Sequence, residues 1–185
     1  MTAPPADPRD NPPDAPSIHA SAVLVGDQAV LIRGPSGSGK SRLAFDLILA
    51  GRSGQIPAAV LVGDDRIYLE ARQGRLWAQP APRLAGLIEI RGLGIRRCDF
   101  VSEAPLGQVV DLDAADGARL PAPESLTTTL SGIELPRIPV QSGFSALPLV
   151  VAALTTRSLS TPPASTKEDC PGEICNHIGP VVATD

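Results

Sequence analysis

The segment GPSGSGKS, residues 34–41, follows the apolar run AVLIR directly and runs straight into RLAFDLILAG. It spells Gly34-x-x-x-x-Gly39-Lys40-Ser41, in which glycines let successive backbone N–H groups turn inward around phosphate oxygens that a side chain would keep out. The helix predicted next aims its positive end at the same point. In this arrangement a lysine bridges the β- and γ-phosphates of a nucleoside triphosphate and a serine hydroxyl ligates Mg²⁺. Gly34, Pro35, Ser36, Gly37, Ser38, Gly39, Lys40 and Ser41 are therefore the candidate nucleotide-binding set, with ATP and Mg²⁺ as expected ligands and Lys40 also reaching the transferred group.

The flanks suit an α/β fold. SIHASAVLV and QAVLIR read as two strands joined by Gly26-Asp27, a two-residue link suited to a tight hairpin. SRLAFDLILAG sets Leu43, Ala44, Leu47 and Ile48 on one helical face, with Gly51 expected to end the helix. AAVLV is a further buried strand, RIYLEA and RLWAQ form a hairpin around Gln73-Gly74, and LIEIR is a fifth short strand. SALPLVVAAL closes the pattern as a helix, with Ser145 as cap and Pro148 in its first turn.

Of 185 residues 43% are hydrophobic, enough for one modest core. The net charge of −4 and the scarcity of lysine argue against nucleic acid as a partner. No apolar stretch approaches the ~20 residues of a membrane helix, and the start lacks a signal-peptide layout, so a cytoplasmic protein without a membrane partner is expected. Residues 1–16 hold six prolines and no apolar period, and residues 156–185 are similarly polar. Both read as disordered segments around a working domain of 17–155. Cys98 lies mid-chain, while Cys170, Cys175 and His177 of the tail match no common zinc spacing.

Two further stretches carry chemistry. VLVGDD ends an apolar strand in Asp64 and Asp65, where a metal's outer ligand or a nucleophile-orienting base belongs. Adjacent strand residues face opposite sides, so one of the two would face the phosphates; a solvated turn would also use them. In LIEIRGLGIRR, Glu89 and Arg91 share a strand face and could serve one site, Glu89 at a metal and Arg91 at phosphate. An exposed ion pair beside a glycine turn is the other reading.

In order, SIHASAVLV, GPSGSGKS, LVGDD, LIEIRGLGI and IPVQSG resemble the catalytic domain of the HPr kinase/phosphorylase family over roughly residues 17–154, and IEIRGLGI is the more diagnostic stretch. The resemblance implies a P-loop kinase domain with a phosphoenolpyruvate carboxykinase-like core, usually assembled as a homo-oligomeric hexamer. It implies a seryl kinase acting on HPr, a phosphocarrier protein of the sugar phosphotransferase system. It gives Asp64 as proton acceptor, Ser41 and Glu89 as Mg²⁺ ligands, His19 as the histidine ahead of the loop, and Arg119 as the catalytic arginine. The family's arginine-rich PVRPGR-like segment is here PVQSGF, so Gln141 and Phe144 stand where two cations associated with dephosphorylation would be. The N-terminal domain that many members carry is absent from this sequence. The kinase half keeps all its parts, the phosphorylase half lacks these two cations, and whether that second activity survives is left open by the sequence. A small-molecule kinase or a nucleotide-binding regulatory switch on the same loop is the alternative.

Overall fold

The computed structural model describes residues 17–156. The proline-rich arm 1–16 and the tail from 157, with Cys170, Cys175 and His177, lie outside the described residues. Eleven strands and two helices follow in chain order: β1 (Ser17–Ile18), β2 (Ser21–Val25), β3 (Gln28–Arg33), α1 (Lys40–Arg52), β4 (Ala59–Gly63), β5 (Ile67–Arg72), β6 (Arg75–Pro80), β7 (Leu87–Ile90), β8 (Gly94–Arg97), β9 (Ala104–Leu112), β10 (Thr127–Leu130), β11 (Ile133–Val140) and α2 (Ala146–Thr155). Nine strands form one mixed sheet whose path is β1-β5-β6-β9-β3-β2-β4, with β11 joining β9 and β10 joining β11; β7 and β8 form a separate hairpin.

The sheet is curled. Although three strands separate β6 from β4 along the path, a Cβ on Gly63 of β4 would stand 2.8 Å from the Pro80 Cβ of β6. The period of two along each strand divides the core accordingly. Val23, Val25, Val30, Ile32, Leu61, Val110 and Leu112 turn toward the face covered by α1 and α2. Their neighbours Ala22, Ala29, Leu31, Val62 and Val109 turn into the curl, where alanines at 20, 22, 29, 78 and 104 keep the wall thin. Helix α1 packs Leu43, Ala44, Leu47 and Ile48 into the first of these cores, the face its sequence period predicts.

Several local expectations are corrected. SIHASAVLV is not one strand: it breaks at His19 and Ala20, so that β1 pairs with β5 while β2 pairs with β3 and β4. Gly51 does not end α1, which continues to Arg52 and is followed by Ser53 and a left-handed Gly54 at φ 74. Ser145 stands at the cap position of α2 in extended backbone but makes no side-chain capping bond. The hairpin turns at Gly26-Asp27 and Gln73-Gly74 form as read. Strand β9 is the hub of the sheet, parallel to β3 on one side and to β11 on the other. Its sequence, APLGQVVDL, does not predict a central strand because Pro105 and Gly107 interrupt it.

Gly51 has a different task. Its Cβ position lies 2.7 Å from the Ala59 backbone nitrogen and 2.8 Å from the Ala59 Cβ, so only glycine lets α1 approach β4 this closely. Helix propensity alone makes Gly→Ala stabilising by up to about 1 kcal/mol. Overpacking against backbone costs about 1–3 kcal/mol, so the expected result of Gly51→Ala is a net loss of stability. Urea unfolding checks the sign, and a gain would mean that the helix moves away at little cost.

Candidate functional site

Strand β3 ends in Arg33, and the loop 34–39 lifts from it at the end of the sheet where parallel β3, β9 and β11 all finish. Such carboxyl ends of parallel strands are where α/β folds open a crevice. The root of the loop is clamped: Arg33 Nε and Nη2 donate to Asp111 Oδ1 and Oδ2, each at 2.7 Å, and Arg137 Nε of β11 donates to Asp111 Oδ2 at 2.6 Å. Arg137 also forks onto Asp116 in the loop after β9, at 2.5 and 2.9 Å.

Within the loop, the Lys40 ammonium donates to the carbonyls of Gly34 at 3.0 Å and Pro35 at 2.9 Å. Lys40 is 6% exposed although it opens a helix. The Ser38 hydroxyl oxygen is buried without a hydrogen-bond partner and would lie 2.7 Å from a Cβ on Gly34, so Gly34 permits the fold of the loop over it. The backbone at Gly37 and Gly39 is left-handed, with nothing within 4 Å of either Cβ position. Inward-facing polar groups, open glycines and a helix start with no acidic residue in its first turn fit an anion such as a phosphate chain.

A cleft of about 840 Å³ opens above this loop. It brings together His19, Lys40, Ser41, Asp64, Asp65, Glu89 and Arg91, all of them singled out in the sequence. Asp64 is 5% exposed. Its Oδ1 accepts from Ser21 Oγ at 2.5 Å and Ser41 Oγ at 2.9 Å, and its Oδ2 accepts from the Glu89 backbone N–H at 3.1 Å. Ser21, which no sequence motif marks, is thus part of the site. Asp65 is different: its Oδ1 lies 3.1 Å from His19 Nε2, and the two side chains are 62% and 53% exposed.

The expectation that only one of the two aspartates would face the site does not hold, because both line the cleft. They lie beyond the end of β4, and Asp65 takes a left-handed φ of 70, which breaks the strand alternation. Arg91 likewise lies in the turn after β7 rather than in the strand, yet it reaches the cleft beside Glu89. The β7–β8 hairpin is anchored by Ile88, 2% exposed in the α1-side core, which leaves Glu89 facing outward over the loop. Arg119 does not join them: it is exposed in the loop after β9 and is not among the cleft-lining residues. Among the described residues no three His, Cys, Asp or Glu side chains form a metal-holding group of their own. Ser41 and Glu89 therefore suit Mg²⁺ only in its usual manner, shared with substrate phosphates and water.

The profile of the HPr Serine kinase C-terminal domain family matches residues 14–100, the segment that holds every residue of the cleft. The HPr kinase/phosphorylase of Mycoplasma mycoides subsp. mycoides SC is 32% identical over 152 residues, covering 74% of this chain and 46% of the relative. That of Streptococcus thermophilus is 42% identical over 80 residues, covering 43% of this chain and 24% of the relative. The HPr(Ser) kinase/phosphatase structure from Coxiella burnetii superposes with a TM-score of 0.60 at 26% identity, covering 75% of this chain and 93% of that one. The chain belongs to the HPr kinase C-terminal domain family. It spans about half or less of the length of the Mycoplasma and Streptococcus relatives.

In this member of the HPr kinase domain family the mixed sheet and the loop share the Arg33–Asp111–Arg137–Asp116 network, and its titration is readable. Burial alone would raise the Asp111 pKa, but hydrogen bonds from Arg33 and Arg137 outweigh it and hold the group below its usual range. The Arg137 guanidinium lowers Asp116 to about 2. Both acids are depressed on folding, so the stability they contribute is complete above the unfolded value of about 3.9 and is lost as pH falls through the folded values. A urea midpoint that is flat from pH 7 to 5 and declines below pH 4 is expected. Arg137→Gln should lower the midpoint at pH 7 and make the acid decline shallower; an equally steep decline would assign it to other carboxylates.

Proposed function

We propose that the chain is an ATP-dependent kinase that transfers the γ-phosphoryl group to a seryl hydroxyl of an HPr-like phosphocarrier protein. The observation that carries this reading is the convergence of Lys40, Ser41, Glu89 and the His19–Asp65 pair on one cleft above the loop. The names of the relatives supply the acceptor. We read the sheet and loop as a P-loop kinase core of the phosphoenolpyruvate carboxykinase-like kind, spanning 17–155. The protein acts in the cytoplasm, and the family's hexamer is the expected assembly. No described helix is long and apolar enough to cross a membrane.

Lys40 steadies the β- and γ-phosphates, and Ser41 with Glu89 would hold Mg²⁺, which when bound offsets the charge on those oxygens. The family resemblance points to Asp64 as the proton acceptor; the hydrogen bonding favours Asp65. Three donors already occupy the buried Asp64 carboxylate, which makes it the group that fixes Ser41 and the backbone of Glu89. Asp65 is open to an incoming hydroxyl and is oriented by His19. The seryl oxygen attacks the γ-phosphorus as its proton passes to Asp65, the bond to the bridging oxygen breaks, and ADP leaves. Arg91, rather than Arg119, supplies the further cation beside Lys40.

Incubation with labelled ATP and HPr, a panel of metabolites, or no acceptor tests the reading: label on HPr serine supports it, and label on a metabolite or only slow release of phosphate sinks it. Asp65→Asn should lower transfer about 10²-fold or more while ATP still binds, as loss of a general base does. Asp64→Asn should instead weaken Mg²⁺-dependent nucleotide binding and stability. The reverse pattern would return the acceptor role to Asp64.

The reverse reaction brings inorganic phosphate beside phosphoserine, itself charged about −1.5 to −2, and needs paired cations to hold them. Gln141 and Phe144 carry none, and both line a cavity on the other side of α1 rather than the cleft. Pyrophosphate release from phosphoseryl HPr is expected at least tenfold slower than forward transfer, and comparable rates would refute this.

A further inference from the structure

A second cavity, of about 360 Å³, lies on the other side of α1 from the cleft. The two share the loop residues Ser38 and Gly39 and the Arg42 side chain, so the phosphate loop forms a ridge between them. None of the groups assigned above to metal binding or proton transfer lines this second cavity. It is lined by the apolar Leu43, Leu112 and Val140, by the Phe144 ring, 68% exposed, and by Asp46, one helical turn beyond Arg42, whose Nε lies 3.7 Å from the Asp46 Oδ2.

We propose that this cavity holds the nucleoside half of the nucleotide, with the base stacked on Phe144 and a ribose hydroxyl donating to Asp46. The assignment rests on the kinase reading, which puts the γ-phosphoryl in the cleft beside Asp65. A phosphate chain crossing the loop from that end must bring its α-end, and the nucleoside behind it, past Ser38, Gly39 and Arg42. The cavity there is of ligand size. An aromatic face offers a base a sequence-tolerant stacking platform. Stacking at Phe144 also accounts for a large exposed aromatic ring in a chain with few aromatic residues, and it predicts little discrimination between ATP and GTP.

The test compares binding of Mg-ATP and of inorganic tripolyphosphate by calorimetry to the full chain, to Phe144→Ala and to Phe144→Trp. Because the ring is exposed, its removal leaves no core void. Phe144→Ala should weaken ATP roughly tenfold or more while leaving tripolyphosphate within twofold, as loss of base stacking implies; Phe144→Trp should restore ATP. An unchanged ATP affinity in Phe144→Ala, or an equal weakening of both ligands, overturns the proposal while the kinase reading stands. If the unaltered chain binds neither ligand, the nucleotide reading itself falls and the proposal with it.

Discussion

The Asp64 carboxylate is the point on which the site depends. A buried carboxylate is costly to desolvate unless charge-assisted hydrogen bonds replace water. Here three do so, and they come from three separate elements: Ser21 on β2, Ser41 at the start of α1, and the backbone of Glu89 on β7. Remove the acceptor and the fully buried Ser21 hydroxyl is left unsatisfied, at about 1–3 kcal/mol, while Ser41 and the Glu89 amide lose their anchor at the edge of the cleft. One side chain thereby fixes the distance between the loop helix, the sheet and the hairpin. The second aspartate of the pair escapes this duty because its left-handed backbone turns it outward to His19.

The curl of the sheet serves the same end. Alanines along the inner face let β2, β3, β6 and β9 wrap closely, while the branched residues of the outer face hold α1. Because β3, β9 and β11 run parallel and end together, the loop, Asp111 and the segment after Val140 meet on one edge. Asp111 binds arginines from both neighbouring strands there, so the root of the loop is fixed in register with β9 and β11. Its contribution is geometric as well as energetic, because the Arg137–Asp111 pair is largely withdrawn from solvent.

Much of the site was legible in the sequence, and the reasons are local. The loop spacing, the amphipathic period of α1 and the two-residue hairpin links each fix structure within a few residues. Asp64, Asp65, Glu89 and Arg91 are marked by the short motifs that follow or end their strands, and His19 by the family resemblance alone. What escaped depends on contacts distant in sequence. Ser21 bonds across 43 positions and is indistinguishable from any strand serine beforehand. The hub strand β9 carries Pro105 and Gly107, tolerable because its partners change along its length: β6 meets it at Ala104 and Pro105, β11 at Val109 to Leu112. Gly51 was misread as a stop because propensity sees the helix and not the Ala59 backbone beside it. Arg119, given by the family resemblance alone, lies in a long loop, where sequence constrains position least.

The division of labour about α1 follows from charge. Asp65 and Glu89 face the cleft, and two exposed carboxylates repel a polyanionic ligand unless something outweighs them. Lys40, Arg42, Arg91 and the positive end of a helix with no acid in its first turn do so. Of these, Lys40 acts with the least entropic loss. Ordering a free lysine side chain costs up to about 2 kcal/mol, whereas Lys40 is already fixed by two loop carbonyls, so that loss falls on folding rather than on binding. The carboxylates, by contrast, remain exposed, and under the kinase reading a divalent cation would offset their repulsion of the phosphates. On that reading the charges of the cleft would favour a metal–nucleotide complex over the free nucleotide.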